Sequence, residues 1–252
     1  MPETTTQAEE LATTARALLG VDSDVPCAHL ADKAATLGLL VFSLGLGVES
    51  ADAATVLLRH GGISLINGGL RVGRRRLALA HELGHYLVAD DYTVDWRVAE
   101  HQGDEHREKM FDRFARALLL PETALRTIWT RYASDDDNGM RTAAVRTASS
   151  YRVDMATLAR RLTELGLVDR GDADSIRSIR TTRADIVELD LVVGEELVPP
   201  ALPREYERAV LRLFRSESIS TVRALDLLLD TWTEEMLPEL PKRTEDQIWQ
   251  YV

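Results

Sequence analysis

Cysteine occurs once in the 252 residues, at Cys27, so no disulfide can close within the chain and folding must rest on a core. No apolar run approaches the roughly 20 residues of a membrane-spanning helix; stretches such as Leu37 to Phe42 fall far short. Positive charge is in deficit, 30 Lys and Arg against 41 Asp and Glu for a net −11. That balance argues against a surface built to grip DNA or anionic lipid and confines any nucleic-acid contact to a local patch. The opening Met1-Pro2-Glu3-Thr4-Thr5-Thr6 lacks the basic and apolar regions of an export signal, so the expected location is the cytoplasm, with no membrane partner. Gly 15 and Pro 8 exclude collagen-like and low-complexity classes, and the length suffices for one large domain or two modest ones. There is no internal repeat.

What is present reads as alternating short elements. Ala8, Leu11, Ala15 and Leu18 recur at helical spacing and predict a helix over 7–19, stopped by Gly20. A second helix is expected over Ala28 to Leu37. β-rich runs follow at Leu39 to Ser43, Thr55 to Arg59 and Ile63 to Asn67, the last two joined through Gly61-Gly62 in the manner of a hairpin. Helical patterns cover Val72 to Ala89 and Asp104 to Leu120, with the polar loop Asp90 to Gly103 between them, and Pro121 suits the first turn of another helix. The turn-forming Asp135-Asp136-Asp137-Asn138-Gly139 marks a linker. Beyond it, 141–170 reads as two helices around Tyr151-Arg152-Val153. A strand is expected at Asp185 to Val193, then helices at about Arg204 to Phe214 and Ser220 to Leu229. Residues 141–183 hold nine Arg against five acids, a net +4, whereas 184–252 carry −8.

The chemistry-bearing stretch is Ala80-His81-Glu82-Leu83-Gly84-His85-Tyr86, an H-E-x-x-H inside a helical pattern. Residues four apart on a helix stand one turn above each other, so both imidazoles can clamp one zinc ion. Glu82 lies about 100° around the helix from His81, placed to take a proton from a water at the metal as general base. The bland alternative is a chance His pair on a solvated face, and chance supplies the motif in only about one such chain in a hundred. Uncharged Leu79, Ala80, Leu83, Tyr86 and Leu87 suit a helix buried beside a metal. Gly84 costs a helix about 1 kcal/mol relative to Ala, which implies close packing there.

Hydrolytic zinc takes three protein ligands and keeps one open position. Asp91, six residues past His85, is one candidate for the third, but Val88 stands where that longer pattern has its turning glycine. The better source is the helix from His106, on which Glu108 and Asp112 present two carboxylates one turn apart. Glu108 is the favoured ligand, and Asp112 is the group that orients an imidazole or the rival ligand. The plain alternative is an acidic stripe paired with Arg107, Lys109, Arg113 and Arg116.

Gly73-Arg74-Arg75-Arg76-Leu77-Ala78-Leu79-Ala80-His81-Glu82-Leu83-Gly84-His85, then Glu108, Asp112-Arg113-Phe114-Ala115 and Leu118-Leu119-Leu120-Pro121, resemble the ImmA/IrrE family of metallo-endopeptidases over roughly residues 7–135. Relatives commonly have Asn where Asp112 stands and an acid plus Ala where Met110 and Phe111 stand. The resemblance implies an α+β fold: a mostly helical, zincin-like metallopeptidase domain with a small β-sheet over 1–135. A helix-turn-helix-like segment over 140–182 and a C-terminal strand-plus-helices segment over 184–252, regulatory or partner-binding, follow. It implies Zn2+ as cofactor and a protein partner, a repressor or antitoxin cut or disabled in bacterial stress, phage or mobile-element control.

Two rival readings come from other classes: a non-proteolytic antitoxin or regulatory module on a peptidase scaffold, and a DNA-binding regulator using Arg160 and Arg161 on the second helix of 142–167. Arg74, Arg75 and Arg76 oppose the dipole of the helix they begin, so they either meet substrate beside the cleft or form a solvated entry turn. His60, His101 and His106 read as bystanders, with His101 the one stray ligand worth testing. Cys27 reads as a small buried residue, and Trp96, Trp129, Trp232 and Trp249 as core or interface anchors.

Overall fold

The structure is a computed structural model describing residues 2–47, 49–88, 105–133, 139–191 and 194–240. The expected loop 90–103, with Asp91, Trp96 and His101, lies outside the described residues, as do Trp249 and most of the expected linker. The chain divides into two compact units, Met1–Ala201 and Leu202–Val252.

The first unit opens with α1, Pro2–Leu18. Ala8, Ala12 and Ala15 are buried, and Gly20 at φ +62° closes the helix while Val21 N–H donates to the Arg16 carbonyl at 2.9 Å. α2, Leu30–Thr36, leads into β1, Leu39–Leu44. β2, Ala53–Leu58, and β3, Gly61–Asn67, complete a mixed sheet in the order β1-β3-β2. β2 and β3 form the expected antiparallel pair, while β1 runs parallel to β3. The hairpin turn is Arg59-His60 rather than Gly61-Gly62. The glycines serve close approach instead: Gly62 N–H donates to the Gly38 carbonyl at 3.0 Å, and a Cβ on Gly61 would sit 2.6 Å from that oxygen.

α3, Val72–Val88, packs on β2 and β3, α4, Glu105–Leu119, packs on α1, and the two helices pack on each other. Leu79, Ala80 and Leu83 of α3 and Phe114, Ala115 and Leu118 of α4 are fully buried. A Cβ on Gly84 would stand 2.8 Å from the Phe114 ring and 2.9 Å from Phe111, so the glycine lets the two helices meet. α5, Glu122–Ala133, α6, Gly139–Tyr151, α7, Met155–Glu164, and α8, Arg170–Ser178, follow. Ala143, Ala144, Leu158, Leu162 and Ile176 join the same core as α1, α3 and α4.

Of the strand expected at Asp185 to Val193, the described residues 185–191 form none. α9, Arg183–Glu188, occupies its first half, because Thr182 and Asp185 make a reciprocal capping box. That cap nucleates a helix where the alternating apolar residues suggest a strand.

Buried ion pairs then tie the unit together. Arg76, 1% exposed, pairs with Glu196, 6% exposed, which also pairs with Arg152 and accepts the backbone N–H of His29 at 3.2 Å. Arg75, buried, donates to Glu195 at 3.0 Å, and Arg74 pairs with Asp52 at 2.6 Å. Arg75 and Arg76 are thus neither substrate contacts nor a solvated turn but buried struts anchoring the strap 194–201 to α3, whereas Arg74 stays exposed beside the cleft that holds His81. The strap ends on β1, where Ala201 and Ser43 exchange backbone hydrogen bonds of 2.9 Å.

The second unit holds α10, Arg204–Arg215, and α11, Thr221–Leu227, around Val210, Phe214, Ala224 and Leu228. Tyr206 Oη donates to the Leu227 carbonyl at 2.8 Å, and Trp232 Nε1 to Glu207 at 3.1 Å.

Candidate metal centre

α3 turns its buried face, Leu79, Ala80 and Leu83, to the core, and the i, i+4 spacing aligns His81 and His85 along the adjoining face toward α4. α4 does the same with Phe111, Phe114 and Leu118 buried, which swings Glu108 and Asp112 toward the imidazoles. The Phe111 ring packs 4.2 Å, centroid to centroid, from His85.

Glu108 meets both histidines. Its Oε2 lies 3.2 Å from His81 Nε2 and its Oε1 3.5 Å from His85 Nε2, while the two Nε2 atoms are 3.0 Å apart. Asp112 takes the opposite nitrogen, with Oδ1 3.1 Å from His81 Nδ1. A carboxylate only accepts, so the tautomer with the proton on Nδ1 donates to Asp112 and turns the Nε2 lone pair of His81 toward Glu108 and His85.

The donor set suits a small divalent cation. Tetrahedral ligation at about 2.0–2.1 Å spaces neighbouring donors about 3.3 Å apart; the two Nε2 atoms at 3.0 Å and the nearest Glu108 oxygen to each, Oε2 at 3.2 Å and Oε1 at 3.5 Å, lie near that spacing. One donor atom each from His81, His85 and Glu108 falls within a 4.8 Å group that does not include Asp112. Of the two carboxylates left open by the sequence, Glu108 is the one the fold brings to both Nε2 atoms.

Burial pulls the His81 imidazole down, but the hydrogen bond and charge of Asp112, with Glu82 and Glu108, outweigh it and raise the pKa. The bond to His81 in turn lowers Asp112. Burial pushes the Glu82 carboxyl above its ordinary range, and the Thr55 hydroxyl and His81 offset only part of that. Glu82 lines a cleft of about 490 Å3 with His81, Asp112, Arg74 and Thr157. Thr55 is the residue that sequence reasoning missed. Its signal was present: it is the polar member of the inward-facing set Ala53, Thr55 and Leu57 on β2.

The arginines proposed to read DNA are engaged elsewhere. Arg161 is fully buried, donating to the Leu120 carbonyl at 3.0 Å and to Glu9 at 2.9 Å, and Arg160 reaches Glu164 at 3.3 Å. Cys27 is buried, and its thiol is pushed up mainly by that burial.

An α+β domain with a small mixed sheet and a His-His-Glu group across two helices defines a metallopeptidase-like protein. The chain matches the peptidase M78 family, described as the IrrE N-terminal-like domain, over residues 34–163, and it belongs to that family. The match begins in α2 and runs through α7, further than the sequence resemblance drawn to 135. No curated protein and no solved structure matches the chain. No helix among the described residues is long and apolar enough to cross a membrane.

Proposed function

We propose that the chain is a zinc-dependent endopeptidase that cuts a regulatory protein of repressor or antitoxin type, in bacterial stress, phage or mobile-element control. The observation that carries this reading is the close grouping of His81 Nε2, His85 Nε2 and the Glu108 carboxylate, with gaps of 3.0–3.5 Å, with Glu82 in the adjoining cleft. His81, His85 and Glu108 hold the ion, and Asp112 fixes the ring of His81 through Nδ1. Zinc held there supplies Lewis acidity that polarises a peptide carbonyl and eases loss of a proton from water. Glu82 takes that proton as the water attacks and passes it to the departing amine. β2, an edge strand beside the cleft, offers unpaired backbone groups that can hold an extended substrate.

The proposed setting is the cytoplasm, where the buried thiol of Cys27 persists reduced. The expected test result is one zinc per chain and a defined cleaved product in cells making the wild-type protein. Glu82→Gln should keep the zinc and lose the product; a product that persists in Glu82→Gln overturns the mechanism. A regulatory effect that survives without cutting would favour the antitoxin reading instead.

A further inference from the structure

The local excess of arginine gathers at a second recess. About 580 Å3 in volume, it lies among the start of α3, the α6–α7 junction and the end of α8. Four arginines line it: Arg71, Arg152, Arg177 and Arg180. Two are paired, Arg152 with Glu196, which it shares with Arg76, and Arg177 with Asp174 at 2.6 Å. The acids of the lining are also engaged, Glu195 with Arg75 at 3.0 Å and Asp154 as the cap that accepts Thr157 N–H at 2.7 Å. Arg71 and Arg180 therefore remain as exposed guanidiniums with no hydrogen-bond or ion-pair partner among the described residues, beside apolar Val72, Ile179 and Ile186.

This recess adjoins the metal cleft. Asp154 and Ala156 line both, and Gly73 in the recess is followed by Arg74 in the cleft. Arg71 stands ten residues before His81, about 15 Å along a helix, and an extended peptide covers that span in about four to five residues at roughly 3.3 Å each.

We propose that the recess is a subsite for an acidic side chain of the protein substrate, four to five residues from the bond that is cut, bound by Arg71 and Arg180. The proposal rests on the peptidase reading and adds the substrate class. A peptide carboxylate suits the recess better than a nucleic-acid backbone, because only two guanidiniums of its lining are free, the chain carries a net charge of −11, and Arg160 and Arg161 further along α7 are engaged. Guanidinium pairs a carboxylate with two parallel hydrogen bonds on a fixed geometry.

The test uses the full zinc-loaded chain carrying Glu82→Gln, so that binding is read without cutting. Two fluorescein-labelled decapeptides, one of alternating Ala and Glu and one of alternating Ala and Gln, are titrated by fluorescence anisotropy at low salt. The acidic peptide should bind about tenfold or more tightly than the neutral one, as one charge-assisted contact provides. Arg71→Ala and Arg180→Ala should each abolish most of that preference, and Arg208→Ala, in α10, should leave it intact. Equal affinities, or a preference unmoved by Arg71→Ala and Arg180→Ala, overturn the proposal. Displacement of the acidic peptide by a DNA duplex of mixed sequence, lost in the same two variants, overturns it in favour of nucleic acid. Failure of the acid preference overturns the subsite alone, whereas a wild-type chain that cuts nothing while the preference holds overturns the peptidase reading and reduces the recess to a site for acidic peptides.

Discussion

Glu108 and Asp112 stand one turn apart on α4, yet the fold assigns them opposite nitrogens of His81. Glu108→Ala removes a donor from the group and should abolish stoichiometric zinc. Asp112→Asn leaves the donors in place and should weaken zinc by about 10–100-fold, since it loosens only the ring that a ligand sits on. A zinc titration of both variants against a competing chelator checks the order. Glu196 makes a separate residue-scale case. Burial raises its carboxyl, but Arg76, the His29 N–H and Arg152 outweigh that and hold it below the usual range. A lowered native pKa contributes stability above the unfolded value of about 4.3, lost as pH falls through the native one. Glu196→Gln strands Arg76 in the core and should cost about 3–5 kcal/mol near neutral pH, a deficit that narrows in urea melts run below about pH 4.

At the scale of elements, the contact between α3 and α4 decides the site. Gly84→Ala would gain about 1 kcal/mol of helix propensity, but its Cβ would lie within 2.9 Å of two phenylalanine rings, and overpacking of that kind costs about 1–3 kcal/mol. The expected result is a net loss of stability together with weaker zinc, because Glu108 rides on the helix that must move. Most elements were legible because their signals are local: periodicity from α3 to α4, Pro121 before α5, and the His pair itself. The choice of Glu108 was only half legible, since sequence places both carboxylates on one face and packing alone selects between them. The strand expected at 185–193 failed for a readable reason, a Thr182-x-x-Asp185 cap that overrides the alternation after it. The buried Arg75, Arg76 and Arg161 were not legible. Their partners, Glu195, Glu196 and Glu9, lie 120, 120 and 152 residues away.

For the whole molecule, a metal held by His81, His85 and Glu108 would cross-link α3 and α4 within the unit Met1–Ala201. Ligand bound only by the folded state adds about 2.7 kcal/mol at a hundredfold excess over Kd. Chelation should therefore lower the thermal midpoint and the amide protection of α3 and α4, while α10 and α11, which form their own core of Val210, Phe214, Ala224 and Leu228, keep theirs. Hydrogen exchange with and without chelator reads both at once. Equal loss across the two units would mean that the ion is not held where the His-His-Glu group stands.

The central claim is that two imidazoles and Glu108 enclose one divalent ion beside a glutamate that does not bind it. Zinc content by mass spectrometry, measured in parallel on the wild-type chain, Glu82→Gln and Glu108→Ala, tests this most directly. The account predicts one zinc per chain in the first two and none retained in the third. A wild-type chain that binds no zinc, or a Glu108→Ala chain that keeps a full equivalent, contradicts it.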